Sequence, residues 1–239
     1  MTSEMKIHRF IGPWQLGQGT MRIDDADLAH QLRSVLKLAA GETIIIGDGS
    51  GHEAYCRIVR YDHGAVILEG LSVGENPSEP ALRATLYCAV LKSENFELAA
   101  EKTTEVGISR IVPVRTDRTV KLNLRTERVA RVVREAAELA GRGIVPAVDE
   151  VTDLDAVWTD ASANDVNYFF DPSGDAFPTP PRSARTAGCF IGPEGGWTER
   201  ELETARELGM QVCSLGTLVL SAPTAAVVAS YLVVRSAGL

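Results

Sequence analysis

The sequence predicts two domains of different class: a small β-barrel carrying one helix over residues 1–74, and an α/β domain on a mainly parallel sheet over residues 81–239. Three observations predict this division. Up to residue 74, short apolar or alternating runs are separated by turn signals, as in a compact β unit. The stretch Gly74-Glu-Asn-Pro-Ser-Glu-Pro-Ala81 is polar and proline-containing, as linkers are. Beyond it strands alternate with helices, the order that builds a parallel sheet.

In the first domain the clearest strands are Glu42–Gly47, Ala54–Arg60 and Gly64–Glu69, divided by turns at Gly47–Gly51 and Tyr61–Gly64. Asp24–Leu38 interrupts the β pattern, because Leu28, Leu32, Val35 and Leu36 recur at helical spacing. In the second domain Ala84–Leu91 is a strand, and Ser93 caps a helix to Val106 with Gly107 just past its end. Ile108–Val114 is the next strand. Thr126 caps a helix to Ala140, with Val129, Val132, Val133, Ala136, Ala137 and Ala140 on one face and Arg128, Arg131, Glu135 and Glu138 on the other. Val166–Phe170 is a strand. Asp171–Arg185 holds four of the eleven prolines and reads as a loop. Ala187–Ile191 is a strand, and Thr198–Leu208 is a helix opened by a Thr198/Glu201 capping box and closed by Gly209. Gln211–Leu215 is the last strand, and Pro223–Ser236 closes the chain as a helix with proline in its first turn.

Composition narrows the function. Of 239 residues, 45% are hydrophobic and 23% charged, enough to bury a core without staples. Cys56, Cys88, Cys189 and Cys213 are widely spaced and form no CxxC pattern; His8, His30, His52 and His63 show no metal-ligand spacing. No metal site is therefore expected, and the thiols read as buried and reduced. No secretory signal opens the sequence and no apolar run reaches ~18 residues, so a cytoplasmic protein without a membrane span is expected. The net charge of −8 argues against a nucleic-acid partner until its distribution is examined. From Arg110 to Arg142 there are nine Arg or Lys against four acids, whereas from Gly143 onward five basic residues face thirteen acidic ones. One basic segment in an acidic chain is where a phosphate backbone docks; ion pairs on a solvated helix would give the same composition.

The most informative run is Phe190-Ile-Gly-Pro-Glu-Gly-Gly-Trp-Thr-Glu-Arg-Glu201, a strand ending in Gly192–Gly196 with a capped helix directly after it. Glycines there let the backbone approach a ligand, and free N–H groups of the turn bind polar atoms. The run is neither GxGxxG nor a P-loop, and Glu194 is a poor neighbour for phosphate, so the run reads either as a loop for a small molecule of another kind or as a plain strand-to-helix turn. A second glycine turn, Leu215-Gly216-Thr-Leu-Val-Leu-Ser221, follows a second strand. Two such strand-end loops can converge at the carboxyl edge of one sheet. Leu215, Leu218 and Leu220 there can wall an adenine ring or simply pack the core.

At these residues the chain resembles a family. Ile191–Gly196, Leu215-Gly216 and Thr224-Ala225-Ala226 resemble the C-terminal signature of RsmE-type enzymes, the 16S ribosomal RNA uridine N3-methyltransferases of the SPOUT superfamily. The resemblance runs through the chain: His8-Arg9-Phe10; His30-Gln-Leu-Arg33-Ser-Val-Leu36 with Gly47-Asp48-Gly49; Leu91-Lys92-Ser93; Glu101–Gly107 with Ile111–Pro113 and Thr116–Arg118; and Arg134–Glu138 with Gly141-Arg142. It implies a PUA-like, RNA-binding N-terminal barrel and a C-terminal domain tied in a trefoil knot. It also implies a homodimer that acts on 16S rRNA or the small ribosomal subunit and binds S-adenosyl-L-methionine in the knot loops. Carried onto this sequence, the cofactor residues are Phe170, Ile191, Gly192, Pro193, Glu194, Gly195, Gly196, Leu215, Gly216, Leu218, Leu220, Thr224 and Ala225.

Uridine N3 carries a proton on the Watson–Crick edge, so the base must be unpaired and the deprotonated imide favoured. A sulfonium is already a good electrophile, so no metal is required. A basic side chain beside the uracil oxygens would stabilise the developing charge. The candidates are Arg9, Arg118 and Arg142 with Glu138 as orienter or base. RNA-binding candidates are Arg9, Arg33, Lys92, Arg128 and Arg131. One departure stands out: where the family shows Arg-x-Glu-Thr-Ala, this chain has Ser221-Ala222-Pro223-Thr224-Ala225. Three readings stay open: a uridine N3-methyltransferase, a SPOUT enzyme with another RNA target, and a non-catalytic RNA-binding relic.

Overall fold

The computed structural model describes residues 7–120, 123–178, 181 and 183–236. Its contacts divide the chain into two units, Met1–Glu79 with Gly141–Val145, and Pro80–Ala140 with Pro146–Leu239.

The first unit is a five-stranded sheet. Its strands are β1 (His8–Ile11), β2 (Gly19–Ile23), β3 (Thr43–Gly47), β4 (His52–Asp62) and β5 (Ala65–Glu75), in the order β1-β3-β4-β5-β2. The β1–β3 pair is parallel and the other pairs are antiparallel. The barrel expected from the sequence is not closed, because the path begins at β1 and ends at β2. Closure needs end strands that tilt and stagger past each other, and these have only four and five residues. Alternate residues Ala54, Cys56 and Ile58 of β4 are buried with Ile44, Ile46, Val66 and Leu68, so the pleat supplies one apolar face. The turn between β4 and β5 is the two-residue loop His63–Gly64, with φ of 36° and 82°. Positive φ at both positions is what a tight hairpin requires to match strand twist.

The helix expected over Asp24–Leu38 is shorter and less regular. α1 (Ala26–His30) is capped by the Asp25 carboxylate, which accepts from the Leu28 N–H at 2.9 Å. It then widens into a π-turn, Gln31–Val35, in which Leu36 N–H reaches the Gln31 carbonyl. The extra residue per turn rotates the chain. Leu28 and Leu32 stay buried while Val35 is 64% exposed, outside the apolar stripe. The Gly141–Val145 segment is fastened to this unit by a Ser50–Ile144 bridge and by Glu79, which accepts from Arg142, Gly143 N–H and Ile144 N–H. Burial alone would raise the Glu79 pKa, but the bond and charge of Arg142 and the two amides outweigh it and hold the carboxyl below 4.5.

The second unit is a parallel sheet with helices on both faces. Its strands are β6 (Arg83–Ala89), β7 (Arg110–Arg115), β8 (Ala147–Val148), β9 (Thr152–Asp153), β10 (Val166–Ala176), β11 (Thr186–Ile191) and β12 (Gln211–Ser214). They lie in the order β12-β10-β11-β6-β7-β8, with β9 also on β7. The helices are α2 (Ser93–Glu105), α3 (Thr126–Ala140), α4 (Leu154–Ala161), α5 (Glu199–Glu207) and α6 (Ala222–Ser236). Tyr87, Phe169, Phe190 and Trp197 meet Leu154, Val157, Leu202 and Ala205 in one apolar layer, which seats α4 and α5. α6 packs on β6, β11 and α2.

Several local expectations change. Lys92, not Ser93, takes the capping position of α2. Thr126 is already helical, the first helical bond of α3 goes to the Arg125 carbonyl, and the Thr126 hydroxyl turns to Glu150. Asp171–Ala176 belongs to β10 rather than to a loop, because strand pairing resumes after a bulge; positions 179, 180 and 182 of that predicted loop lie outside the described residues. α4 was not foreseen, although Leu154, Val157, Trp158 and Ala161 have helical spacing. The capping box of α5 forms as read. Gly107 and Gly209 end their helices with φ of 113° and 72°, each followed by a bond from the next N–H back to the helix.

Candidate cofactor and RNA site

The second unit holds a cavity of about 430 Å³ at the carboxyl ends of β10, β11 and β12. Topology places it there. The connection from β11 through α5 passes β10 to reach β12, and the chain then returns to seat α6 on β11 and β6. The loops after β11 and β12 therefore flank the end of β10, as ligand loops do at the switch point of open α/β sheets.

Each loop has a local cause. In the first, Gly196 N–H donates to the Pro193 carbonyl at 2.9 Å, closing a turn over Glu194 and Gly195. Trp197 is buried, and its Nε1 donates to the Phe170 carbonyl at 3.0 Å, tying the loop to β10. A Cβ at 192 would stand 3.0 Å from the Trp197 ring, so any larger residue there would have to push that buried, hydrogen-bonded ring aside. Arg118 reaches in from the segment after β7, and its Nη1 donates to the carbonyls of Gly195 at 2.8 Å and Trp197 at 3.0 Å. That segment is itself held to α5, since Asp117 pairs with Arg200 and its N–H donates to buried Glu201. The exposed Glu194 carboxylate faces the start of α2, accepting from Lys92 N–H and Asn95 Nδ2 at 3.4 Å each, where the helix dipole favours an anion.

The second loop turns at Gly216, whose φ is 118° and whose N–H donates to Ser214 Oγ. It ends at Ser221, whose carbonyl takes the first bond of α6 from Ala225 N–H at 2.8 Å. The Ser221 and Thr224 hydroxyls lie 2.9 Å apart. The Ser-Ala-Pro departure therefore has a local role: serine at a helix cap and proline in the first turn. A third wall comes from the β10 bulge. Asp171 accepts from Ser173 N–H and Oγ, and a Cβ at Gly174 would stand 2.6–2.8 Å from the Cys213 backbone.

Of the predicted cofactor residues, Phe170, Ile191, Gly192, Pro193, Glu194, Gly196, Leu215, Gly216, Leu218, Leu220 and Ala225 line this cavity; Gly195 and Thr224 do not. Gly195 is occupied with Arg118, and Thr224 with Ser221. Among the lining residues that sequence reasoning did not name are Trp197, Asn95, Asp171, Pro172 and Ser214. The Asp-Pro-Ser-Gly run after a strand is a turn signature that would have found Asp171 and Pro172. Nothing local marks Asn95, which comes from a distant helix.

The remaining candidates are scattered. Arg118 touches the loop as described. Glu138 is half-buried on α3, Arg128 pairs with Glu97 at 2.9 Å, Arg131 is exposed on the same helix, and Lys92 is exposed at the start of α2. In the first unit Arg9 makes a two-point ion pair with Glu53, at 3.2 and 3.0 Å, and Arg142 is buried against Glu79 at 2.9 Å. Arg33 is exposed on the π-turn. Burial raises the thiols of Cys189 and Cys213 to about 12 and about 11, so both are neutral at pH 7 and do not serve as nucleophiles. Among the described residues no cluster could hold a metal ion, and no helix is long and apolar enough to cross a membrane.

The lining has a chemical bias. Among the described residues it carries the carboxylates of Asp171 and Glu194 and no Arg, Lys or His, beside an apolar wall of Leu215, Leu218 and Leu220. This suits a cationic ligand with a flat apolar part and disfavours a phosphate, and the volume lies within the ~300–1,000 Å³ of small-molecule sites. A parallel α/β sheet with such a strand-end cavity is an arrangement for small-molecule cofactor chemistry, and the comparisons agree. The sequence pattern of the RNA methyltransferase domain matches residues 78–234, and the chain belongs to this RNA methyltransferase family. Its relatives include the ribosomal RNA small subunit methyltransferase E of Synechocystis, 30% identical over 234 residues, which span 94% of this chain and 76% of that one. The protein of the same name from Mycobacterium bovis is 28% identical, over 88% of this chain and 85% of its own length. The fold is similar to that of ribosomal RNA small subunit methyltransferase E from Neisseria gonorrhoeae bound to S-adenosyl methionine, with a TM-score of 0.85 at 26% identity, covering 94% of this chain and 95% of that one.

Proposed function

We propose that this chain is an S-adenosyl-L-methionine-dependent methyltransferase that modifies N3 of a uridine in the 16S RNA of the small ribosomal subunit. The observation that carries the reading is the strand-end cavity: anionic and apolar, framed by two glycine loops, in a chain of this family. The residues present fit the cofactor. The carboxylates of Asp171 and Glu194 suit its positive charges, Leu215, Leu218 and Leu220 suit its adenine, and Gly192, Gly196 and Gly216 let backbone approach it. Bound there, S-adenosyl-L-methionine supplies a methyl group on a sulfonium.

The protein's part is positioning. Arg118 and Trp197 fix the first loop, and the Ser221 cap fixes the second. Lys92, Arg128 and Arg131 supply basic charge for the RNA backbone. The uridine must be unstacked and its N3 proton passed to a base or to water; the nitrogen pair would then take the methyl group as the methyl–sulfur bond breaks, its electron pair staying on sulfur as a neutral thioether. The finer features belong to the same reading: a PUA-like first unit, a knotted second unit, cytoplasmic action and a homodimer. Leu218 and Val219, 78% and 85% exposed beside the cavity, are an apolar surface such a dimer would cover.

Two measurements test this. Calorimetric titration with S-adenosyl-L-methionine should show one saturable site, lost in Ala225→Trp, which fills the cavity. Incubation with small subunits lacking the mark, followed by nuclease digestion and mass spectrometry, should yield N3-methyluridine. A folded protein that binds no cofactor would remove the enzyme reading; a methyl group on another atom would move the target.

A further inference from the structure

The capping box of α5 does more than start a helix. Such a box needs one carboxylate oxygen of its glutamate, to meet the N–H of the capping residue. Glu201 does this with Oε2, which accepts from Thr198 N–H at 2.7 Å and from Thr198 Oγ1 at 3.0 Å. Its other oxygen, Oε1, accepts from the N–H of Asp117 at 3.0 Å, 84 positions earlier in the chain. Glu201 is only 2% exposed. A carboxylate is held away from water in this way because several donors and the positive end of the α5 dipole meet it.

The bond to Asp117 decides where Arg118 stands. Thr116–Thr119 is a tight turn, in which Thr119 N–H donates to the Thr116 carbonyl at 3.2 Å and Thr116 N–H to Thr119 Oγ1 at 3.0 Å. A turn closed on itself is rigid within, but it must be fastened to another element to aim a side chain. Asp117 fastens this one to α5 in two ways. Its ion pair with Arg200 is exposed, at 42% and 71%, and contributes little. Its N–H bond goes to the buried Glu201 carboxylate and is the stronger link. From this turn Arg118 Nη1 reaches the carbonyls of Gly195 and Trp197. Thr198, the next residue, is held by Glu201 directly. One carboxylate thus holds the end of the cofactor loop and the turn whose arginine holds its middle.

We infer that Glu201 is a positioning residue for cofactor capture, acting through Asp117 and Arg118 on the Gly192–Gly196 loop. Glu201 does not line the cavity, so its effect passes through the loop and not through contact with the cofactor. The inference rests on the S-adenosyl-L-methionine reading above and adds to it a residue outside the cavity.

The test is calorimetric titration of the full chain with S-adenosyl-L-methionine, with single-turnover methyl transfer and thermal melts on the same variants. Glu201→Gln is nearly isosteric, and a capping box accepts glutamine. Its NH2 group cannot accept a second N–H, however, so one of the two links must break. Asp117→Pro removes the donor instead and leaves Glu201 with Thr198; proline suits the second position of a turn. The expected result is a Kd raised about fivefold in each, with kcat at saturating cofactor within about twofold of wild type. Glu201 and Arg118 act in one link, so Glu201→Gln combined with Arg118→Met should also stay at about fivefold, where independent effects would multiply to about 25-fold. Arg206→Ala, which removes an exposed arginine 3.8 Å from Glu199 on the same helix, should stay within about twofold. A wild-type Kd in both Glu201→Gln and Asp117→Pro, whatever their Tm, would overturn the proposal, because Glu201 would then serve the helix alone. A double variant at the product of the two single effects would overturn it as well. A folded wild-type chain that binds no cofactor would remove the methyltransferase reading and this inference with it, whereas wild-type binding that the variants leave unmoved removes this inference alone.

Discussion

Replacing Arg118 with Met separates two roles for that residue. The side chain is exposed, but one nitrogen bridges two carbonyls of the cofactor loop, at 2.8 and 3.0 Å. Charge-assisted hydrogen bonds contribute about 1.5–3 kcal/mol each when dry, and solvent access lowers this pair to about 1 kcal/mol in total. Methionine keeps much of the apolar stem, so the loss falls on loop order. Cofactor binding selects the ordered loop, so Kd for S-adenosyl-L-methionine should rise about fivefold, with kcat at saturating cofactor little changed. Calorimetry gives the first number and single-turnover methyl transfer the second. An unchanged Kd would refute the positioning argument. An unchanged Kd with a kcat lowered a hundredfold would show that Arg118 acts on the reacting base instead.

Two further outcomes follow from close contacts. Gly174→Ala places a Cβ 2.6–2.8 Å from the Cys213 backbone and must push the bulge off β12; the expected cost is roughly 1–3 kcal/mol, a fall in Tm of about 2–12 °C with weakened cofactor binding, read by thermal melts and calorimetry. The Glu79 carboxyl is held below its ordinary 4.5 by Arg142, so its contribution is complete above that value and lost as pH falls through the lower folded value. Urea melts of the wild type between pH 7 and pH 3 should lose more stability than those of Glu79→Gln, which starts less stable at pH 7 because the neutral amide no longer pairs with the buried Arg142 guanidinium. Parallel pH profiles would refute the assignment.

Much of the second unit was legible because its signals are local. The Thr198/Glu201 capping box, glycine at 107 and 209, and the apolar stripe of α3 each act within a turn or two of chain. The glycine loops of the cavity were legible for the same reason. What was not legible depends on partners far along the chain. Asp171–Ala176 reads as loop until β12 supplies a strand for the bulge to rejoin. The π-turn at Gln31–Val35 has no marker, since its leucines keep helical spacing while the backbone shifts by one residue.

The sequence by itself determined most of the element types, though not α4, the π-turn or the second half of β10, together with the two glycine turns and the concentration of basic charge. It did not determine the working environment of that charge. Arg9, Arg118 and Arg142 were read as candidates beside the base and Arg128 as a candidate for the RNA backbone, and the tertiary structure gave each a different partner: Glu53, two loop carbonyls, Glu79 and Glu97 respectively. The physical reason is that ion pairing and desolvation depend on separation in space, which neighbouring residues do not encode. Only the folded sheet brings Asn95, Asp171 and Trp197 to the same cavity as the loops at 192–196 and 215–220.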